Sequence, residues 1–329
     1  MPPPARRLSV ARDELRAARA EGRALYWAVG LFSVFVNLLM LSGPLYMLQV
    51  YDRVLGSRSI ETLVALSVLV VFLFAMMGVL DYARGRIMNR AAARFQSRLE
   101  RRVFDAVMQT SAPRADARCA TGLTDLESIR RFMASPVLLA FFDLPWTPVL
   151  LAGIFVFHPW LGALATTGGS VLVLFAILNQ VGTRRPAHAA ADASAEAEAM
   201  AGRLRAQGEL VQAMGMRDAG YKRWQAARRR ALSAQVATAD LGGTFTMAAR
   251  VFRLFLQSAM LGLGAYLVLQ DELTAGAMIA GSILLGRALA PVEQAVAQWP
   301  TVQAAAGGWR NLVELLAAAP PPPARTALP

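Results

Sequence analysis

The chain is short of the side chains that most site chemistry needs. It has a single cysteine, Cys119, and two histidines, His158 and His188, among 329 residues. One cysteine cannot form a disulfide within the chain. So few soft ligands also leave no clustered histidine and cysteine metal site. Lysine is nearly absent, with Lys222 alone in the setting Gly220-Tyr221-Lys222-Arg223. A phosphate-binding P-loop needs G-x-x-x-x-G-K-[ST]: its glycines expose backbone N–H groups and its lysine reaches the β/γ oxygens. The surroundings of Lys222 do not fit that pattern. No catalytic, cofactor-binding or metal residue is therefore assigned, and a self-contained P-loop ATPase is excluded.

Apolar residues are abundant. The chain is 56% hydrophobic, with a mean hydropathy of +0.40. A helix needs about 20 apolar residues to cross a hydrocarbon core ~30 Å thick. Six runs approach or exceed that length, near 25–48, 62–82, 137–157, 160–181, 245–269 and 274–298. Backbone groups in lipid must be bonded internally, so the runs are expected as helices. Their length and lack of alternation argue against a barrel. The first run is too long for a signal-peptide core and reads as a retained anchor.

The gaps between runs are uneven. The first, third and fifth are short, marked by Asp52 and Gly56, by His158-Pro159, and by Gln270-Asp271-Glu272. The second and fourth are long and rich in arginine. Six basic residues precede Tyr26, two lie in the first gap, eleven in the second, ten in the fourth, and none in the third or fifth. This is the positive-inside pattern, and it places both termini and both long gaps in the cytoplasm. The net charge of +12 is thereby explained by topology, without a nucleic-acid partner.

The long gaps read as helical hairpins. From Arg86 to Met108 there is no proline or glycine, and Ile87, Ala91, Phe95, Leu99 and Val103 recur every four residues. Span two is expected to continue as an amphipathic helix. Pro113 and Gly122 read as breakers, and Thr124–Met133 as a returning helix with Thr124 as its N-cap. In the fourth gap, 192–214 reads as a helix interrupted at Gly202 and Gly208. Gly215 and Gly220 bracket a short segment there, and Lys222–Ala239 returns. Half of each gap reaches about 40–47 Å at a rise of ~1.5 Å per residue, so the hairpins are expected to end at similar depth.

At the N-terminus, Leu8, Ala11, Leu15 and Ala18 form a modest apolar stripe. It suits either a helix lying on the inner leaflet or a helically biased tail. At the other end, Pro320–Pro323 opens a stretch that reads as a semi-rigid linker toward a further domain.

Polar residues inside spans are default functional candidates. Asn37, Asp143, Arg287 and Glu293 are of this kind. They are expected either to form a polar translocation wall or to pair between helices, as Arg287 would with a carboxylate on another helix. Steps of ~100° put Arg287 and Glu293 about 120° apart, so they need not pair with each other. Ser170 and Ser282 follow glycines, as an intramembrane protease nucleophile would, but close helix packing by small residues explains them better. Pro145, Pro148 and Pro291 are expected to bend their spans.

Three stretches carry a resemblance. Leu41–Leu55 reads LSGPLYMLQVYDRVL, Ala140–Pro148 reads AFFDLPWTP with His158-Pro159-Trp160 beyond it, and Gly281–Glu293 reads GSILLGRALAPVE. Together they resemble the membrane domain of type I secretion ABC transporters, above all those exporting repeat-in-toxin metalloproteases and lipases. The resemblance covers nearly the whole chain. It implies an all-α membrane protein of the six-transmembrane-helix exporter class with two long cytoplasmic hairpins. It further implies a homodimer in the bacterial inner membrane, a periplasmic adaptor and an outer-membrane channel. The cargo would be a polypeptide with a C-terminal signal. ATP and Mg would bind in a nucleotide-binding domain following Pro329. By the same resemblance the hairpins carry coupling helices, the first at Thr124, Asp125, Leu126 and Glu127, the second at Gly215, Met216, Arg217 and Asp218. The chain then divides into an N-terminal segment (1–24), the membrane domain (25–319) and the linker (320–329). An ABC exporter of lipid or small molecules, or a non-transporting remnant of a truncated gene, are the alternatives.

Overall fold

The computed structural model describes residues 4–111 and 117–319, with side chains over 7–110 and 121–319. The proline-rich linker and Pro113 lie outside the described residues. All regular structure among the described residues is helical. In order these are α1 (Pro4–Ala20), α2 (Arg23–Met40), α3 (Ser42–Gln49), a π-helical turn (Val50–Val54), α4 (Leu55–Ser57) and α5 (Ile60–Ser111). Then come α6 (Ala117–Met133), α7 (Pro136–Asp143), a 3-10 turn (Leu144–Trp146), α8 (Thr147–Phe157) and α9 (Pro159–Ala206). The last four are α10 (Gly208–Ala213), α11 (Arg217–Leu269), α12 (Ala275–Ala297) and α13 (Trp299–Ala318). Six stretches are long and apolar enough to cross a membrane: Arg23–Ser57, Ile60–Thr110, Pro136–Phe157, Pro159–Ala206, Arg217–Leu269 and Ala275–Ala297. Each expected run falls on one of them to within a residue. The chain is a multi-pass membrane protein.

Three helices dominate. With 52, 48 and 53 residues, α5, α9 and α11 extend for roughly 72–80 Å at ~1.5 Å per residue. They run from the apolar zone far into the arginine-rich end because a side-chain stripe keeps its helical period throughout. On α5 that stripe is Ala91, Phe95, Leu99 and Val103, all buried, and it packs with α1, α6 and α13. Leu126 and Ile129 of α6 and Leu312 and Leu316 of α13 complete this core. A second core joins α8, α9, α11 and α12 through Ile154, Leu161, Leu172, Met260, Leu285 and Leu289.

Several local expectations are corrected. The helix of span one continues past residue 48; the chain stays helical to Ser57 and reverses at Arg58, whose φ is 52°. The first return helix starts at Ala117, so Thr124 lies within it and caps nothing. Gly122 does not break that helix, because its missing side chain is what lets α6 close on its neighbours. A Cβ there would stand 2.7 Å from Leu315 and 2.9 Å from Val107. In the fourth gap Gly202 stays helical and the break falls at Gln207. The stripe of α1 faces neither lipid nor solvent: Ala11 and Leu15 are buried in the core with α5 and α13.

At the end away from the arginines, the short loops are stitched together. The π-helical turn presents Asp52 to the start of α12. Its carboxylate accepts from the Thr274 hydroxyl (2.8 Å) and the Gly276 N–H (3.0 Å). A carboxylate at a helix N-terminus satisfies open N–H groups and complements the helix dipole. His158 and Glu272 approach within 3.3 Å across the third and fifth gaps.

Candidate translocation and docking surfaces

Of the four polar residues expected on a translocation wall or in pairs between helices, three pair between helices. Asp143 ends α7 and is 9% exposed. Its Oδ1 accepts from Arg84 Nη1 and from Asn37 Nδ2, both at 2.8 Å. Arg84, 5% exposed on α5, also donates to the Ser33 hydroxyl (3.1 Å) and to Asp81 (2.6 Å). Asn37 closes the ring by donating to the Ser33 carbonyl (2.8 Å). The cluster ties α2, α5 and α7 together. Buried charges persist where they are paired and hydrogen-bonded, and here they are. Asn37 and Asp143 sit on no open face of this chain; they pair between helices.

Glu293 also pairs between helices. Its carboxylate lies 2.6 Å from Arg253 and 3.8 Å from Arg250, both on α11. Arg287 differs. It is exposed, and among the described residues it makes no hydrogen bond or ion pair, so the expected carboxylate partner is not found. The helical period puts Ile283, Arg287, Ala290, Gln294 and Ala297 on one stripe of α12. That stripe is open or half-open, while Leu284, Leu285, Ala288, Leu289 and Val292 on the opposite side are buried. A guanidinium part-way along an apolar span calls for water or a polar ligand beside it.

Toward the arginine-rich end the stripe leads to a cleft of about 730 Å³ between α9, α11 and α13. Its walls carry amides and hydroxyls. Gln303 donates to the Thr183 hydroxyl (3.1 Å) and Arg310 meets His188 (3.3 Å). Asn179, 2% exposed, donates to the Val296 carbonyl (3.4 Å) while its Oδ1 has no protein partner; the indole N–H of Trp299 has none either. Such groups accept and donate as a peptide backbone does.

The two sets of docking candidates separate. Gly215, Met216, Arg217 and Asp218 form the exposed tip of the second hairpin. Gly215 makes the turn at φ +63°, a conformation that only glycine adopts freely. Around it Leu210, Met214, Met216 and Tyr221 are each about half exposed or more. Exposed apolar side chains gathered at one point mark an interaction site. Thr124, Asp125, Leu126 and Glu127 instead lie inside α6, with Leu126 in the core. Residues 112–116, which precede α6, lie outside the described residues.

The acids of that α6 turn titrate in opposite senses. Burial pushes the Asp125 carboxyl above its ordinary value, offset in part by donation from Thr121 and Asn311. Glu127 is held down at about 2, chiefly by its hydrogen bond from Arg130. Glu127 therefore adds stability above its ordinary 4.5 that is lost as pH falls toward 2. Asp125 adds stability below its ordinary 3.8 that is lost as pH rises through its raised value. Asp125→Asn is expected to raise the melting temperature in detergent at pH 7 by roughly a degree or two. The gain should shrink toward pH 4, and a gain equal at both pH values would contradict this account.

Residues 26–290 match the family model described as the ABC transporter transmembrane region. The chain belongs to the ABC transporter transmembrane family. This ABC transporter domain is similar to the type I secretion system ATP-binding protein PrsD of Rhizobium meliloti (strain 1021). The two are 38% identical over 314 residues, 95% of this chain and 54% of PrsD. It is 22% identical over 285 residues to the leukotoxin translocation ATP-binding protein LktB of Mannheimia haemolytica, covering 85% of this chain and 40% of LktB. LktB of Bibersteinia trehalosi matches to the same extent. The chain spans about half the length of these relatives.

Three residues of the ABC transporter domain's polar cluster, Ser33, Asp81 and Arg84, escaped the sequence reading. Arg84 counts as one of many arginines in a basic gap. The available signal was the spacing: Asp81 and Arg84 are three apart, and Ser33 and Asn37 four apart, each pair on one helix face.

Proposed function

We propose that this domain is the membrane part of an ATP-driven exporter for type I protein secretion, through which an unfolded polypeptide leaves the cytoplasm. The observation that carries the reading is the unpaired Arg287 on the open stripe of α12, leading to the amide-lined cleft at Asn179 and Gln303. Groups that match a peptide backbone without reading its side chains suit a cargo passing as an extended chain. A lipid cargo would call for a continuous apolar wall instead, and the relatives' names, secretion and leukotoxin translocation, agree with protein cargo.

The rest of the machine follows from the same reading. The arginine-rich end faces the cytoplasm of a bacterial inner membrane. ATP and Mg bind in a nucleotide-binding domain outside these residues, which docks on the apolar tip around Gly215 and Arg217. A second copy completes the path: the most apolar window of α5 has 0% of its residues buried within the chain, against 56% for α12. The opposite end, braced by Asp52, meets a periplasmic adaptor and, through it, an outer-membrane channel.

The test uses the complete transporter with two variants. Arg287→Ala should lower export by about tenfold or more with unchanged dimer assembly and melting temperature. Arg217→Glu should leave ATP hydrolysis running while export stops. Loss of assembly in the first, or normal coupling in the second, would sink the corresponding assignment.

A further inference from the structure

A second cleft, of about 910 Å³, lies on the outer side of the first core. It is at the upper end of the ~300–1,000 Å³ typical of ligand sites. Its walls are apolar and come chiefly from α2, α6, α7 and α13, with Tyr26, Phe132, Phe142 and Trp309 among them. Phe95 stacks on Trp309 at 6.4 Å behind them. One rim is cationic: Arg16 and Arg19 of α1 and Arg23 at the start of α2.

That rim is short of counter-charge. Among the described residues Arg16 has only a loose, exposed pair with Asp13 at 3.7 Å, and neither Arg19 nor Arg23 forms an ion pair. Nearby acids are engaged elsewhere, Glu14 with Arg102 and Glu21 with Arg98, both at 3.1 Å. The α2 N-terminus opens at the same rim with no side-chain cap and adds partial positive charge. Depth is fixed by the sequence. Arg23 is the first residue of the first spanning stretch, and Trp27, 77% exposed, projects from its first turn. Tryptophan, tyrosine and arginine at a span end mark the headgroup level.

We infer that this cleft binds an anionic phospholipid, its phosphate held by Arg16, Arg19 and Arg23 and an acyl chain laid between α2, α6, α7 and α13. An apolar trough that opens at the headgroup level, below uncompensated arginines, matches both parts of such a molecule. A second copy of this chain is a poorer occupant, since a chain of net charge +12 brings like charge to the rim.

The complete transporter, purified in detergent, is titrated with phosphatidylglycerol, phosphatidylcholine or glycerol 3-phosphate, and bound lipid is counted by native mass spectrometry. Phosphatidylglycerol should bind at least about tenfold tighter than phosphatidylcholine, and glycerol 3-phosphate should not compete at equal concentration. Arg19→Gln with Arg23→Gln should weaken phosphatidylglycerol roughly thirtyfold. Gly30→Leu should weaken both lipids with an unchanged melting temperature, because a Cβ at Gly30 meets nothing closer than Phe142 at 4.0 Å. Equal binding of the two lipids would overturn the inference. So would competition by glycerol 3-phosphate alone, which would indicate a free-phosphate site. Undiminished preference in the double variant, or loss of dimer rather than lipid, would overturn it as well.

Discussion

Asp143→Ala is expected to destabilise the folded domain by about 3–5 kcal/mol, the usual result of stripping one partner from a buried ion pair. The loss goes beyond one contact. Arg84 is 5% exposed and cannot shed its proton, so the variant would leave a cation inside the bundle. Asp81 at 2.6 Å offsets only part of this, because its own side chain is 55% exposed and its field is screened. Asn37 would also lose its acceptor on α7. Replacing both charges, as Arg84→Met with Asp143→Leu, should recover most of the stability, since apolar side chains of similar volume need no counter-charge. Denaturant unfolding in mixed micelles reads both variants. A loss below about 1 kcal/mol in Asp143→Ala would show that Asp81 alone holds the arginine.

Gly308→Ala and Gly307→Ala are expected to act in opposite directions, though the residues are neighbours on α13. A Cβ on Gly308 would stand 2.9 Å from the carbonyl oxygen of Asp125 and 3.3 Å from its Cα. Both are backbone atoms, so α6 as a whole must retreat, and Leu126, Leu312 and Leu316 lose their packing with it. Overpacking of this kind costs roughly 1–3 kcal/mol. A Cβ on Gly307 meets nothing within 4 Å. There alanine should stabilise by up to about 1 kcal/mol, since glycine is a poor residue for a helix interior. Melting temperatures of the two variants settle the sign. A fall in both would mean that α13 tolerates no side chain on either face.

The architecture was legible because its signals are long. Six apolar runs and a four-residue stripe on α5 carry enough periods to define helices and their buried side. Helix ends were less legible. Gly122 reads as a breaker until Leu315 and Val107, some two hundred residues apart from each other in sequence, are seen to fill the space beside it. The polar residues show the same limit. Asn37, Asp143 and Glu293 stand out in apolar surroundings, but their roles depend on partners in other helices: Arg84, and Arg253 with Arg250. Arg287 stays a path candidate because among the described residues it makes no hydrogen bond or ion pair. Thr124 reads as an N-cap from its local pattern, but α6 already begins at Ala117, so tertiary packing overrides that local preference.

The second hairpin has one further property. Far from the spans, α9 and α11 meet through Ala197, Ala227 and Ala231, with Ala193 and Met200 alongside. Buried alanine removes little apolar area from water, and stabilisation scales with that area. Backbone bonding keeps each helix intact, yet little joins one to the other beyond the Gln235–Ser194 hydrogen bond. Amide protons in this outer portion should therefore exchange much sooner than those of α12, through openings that leave the membrane bundle folded.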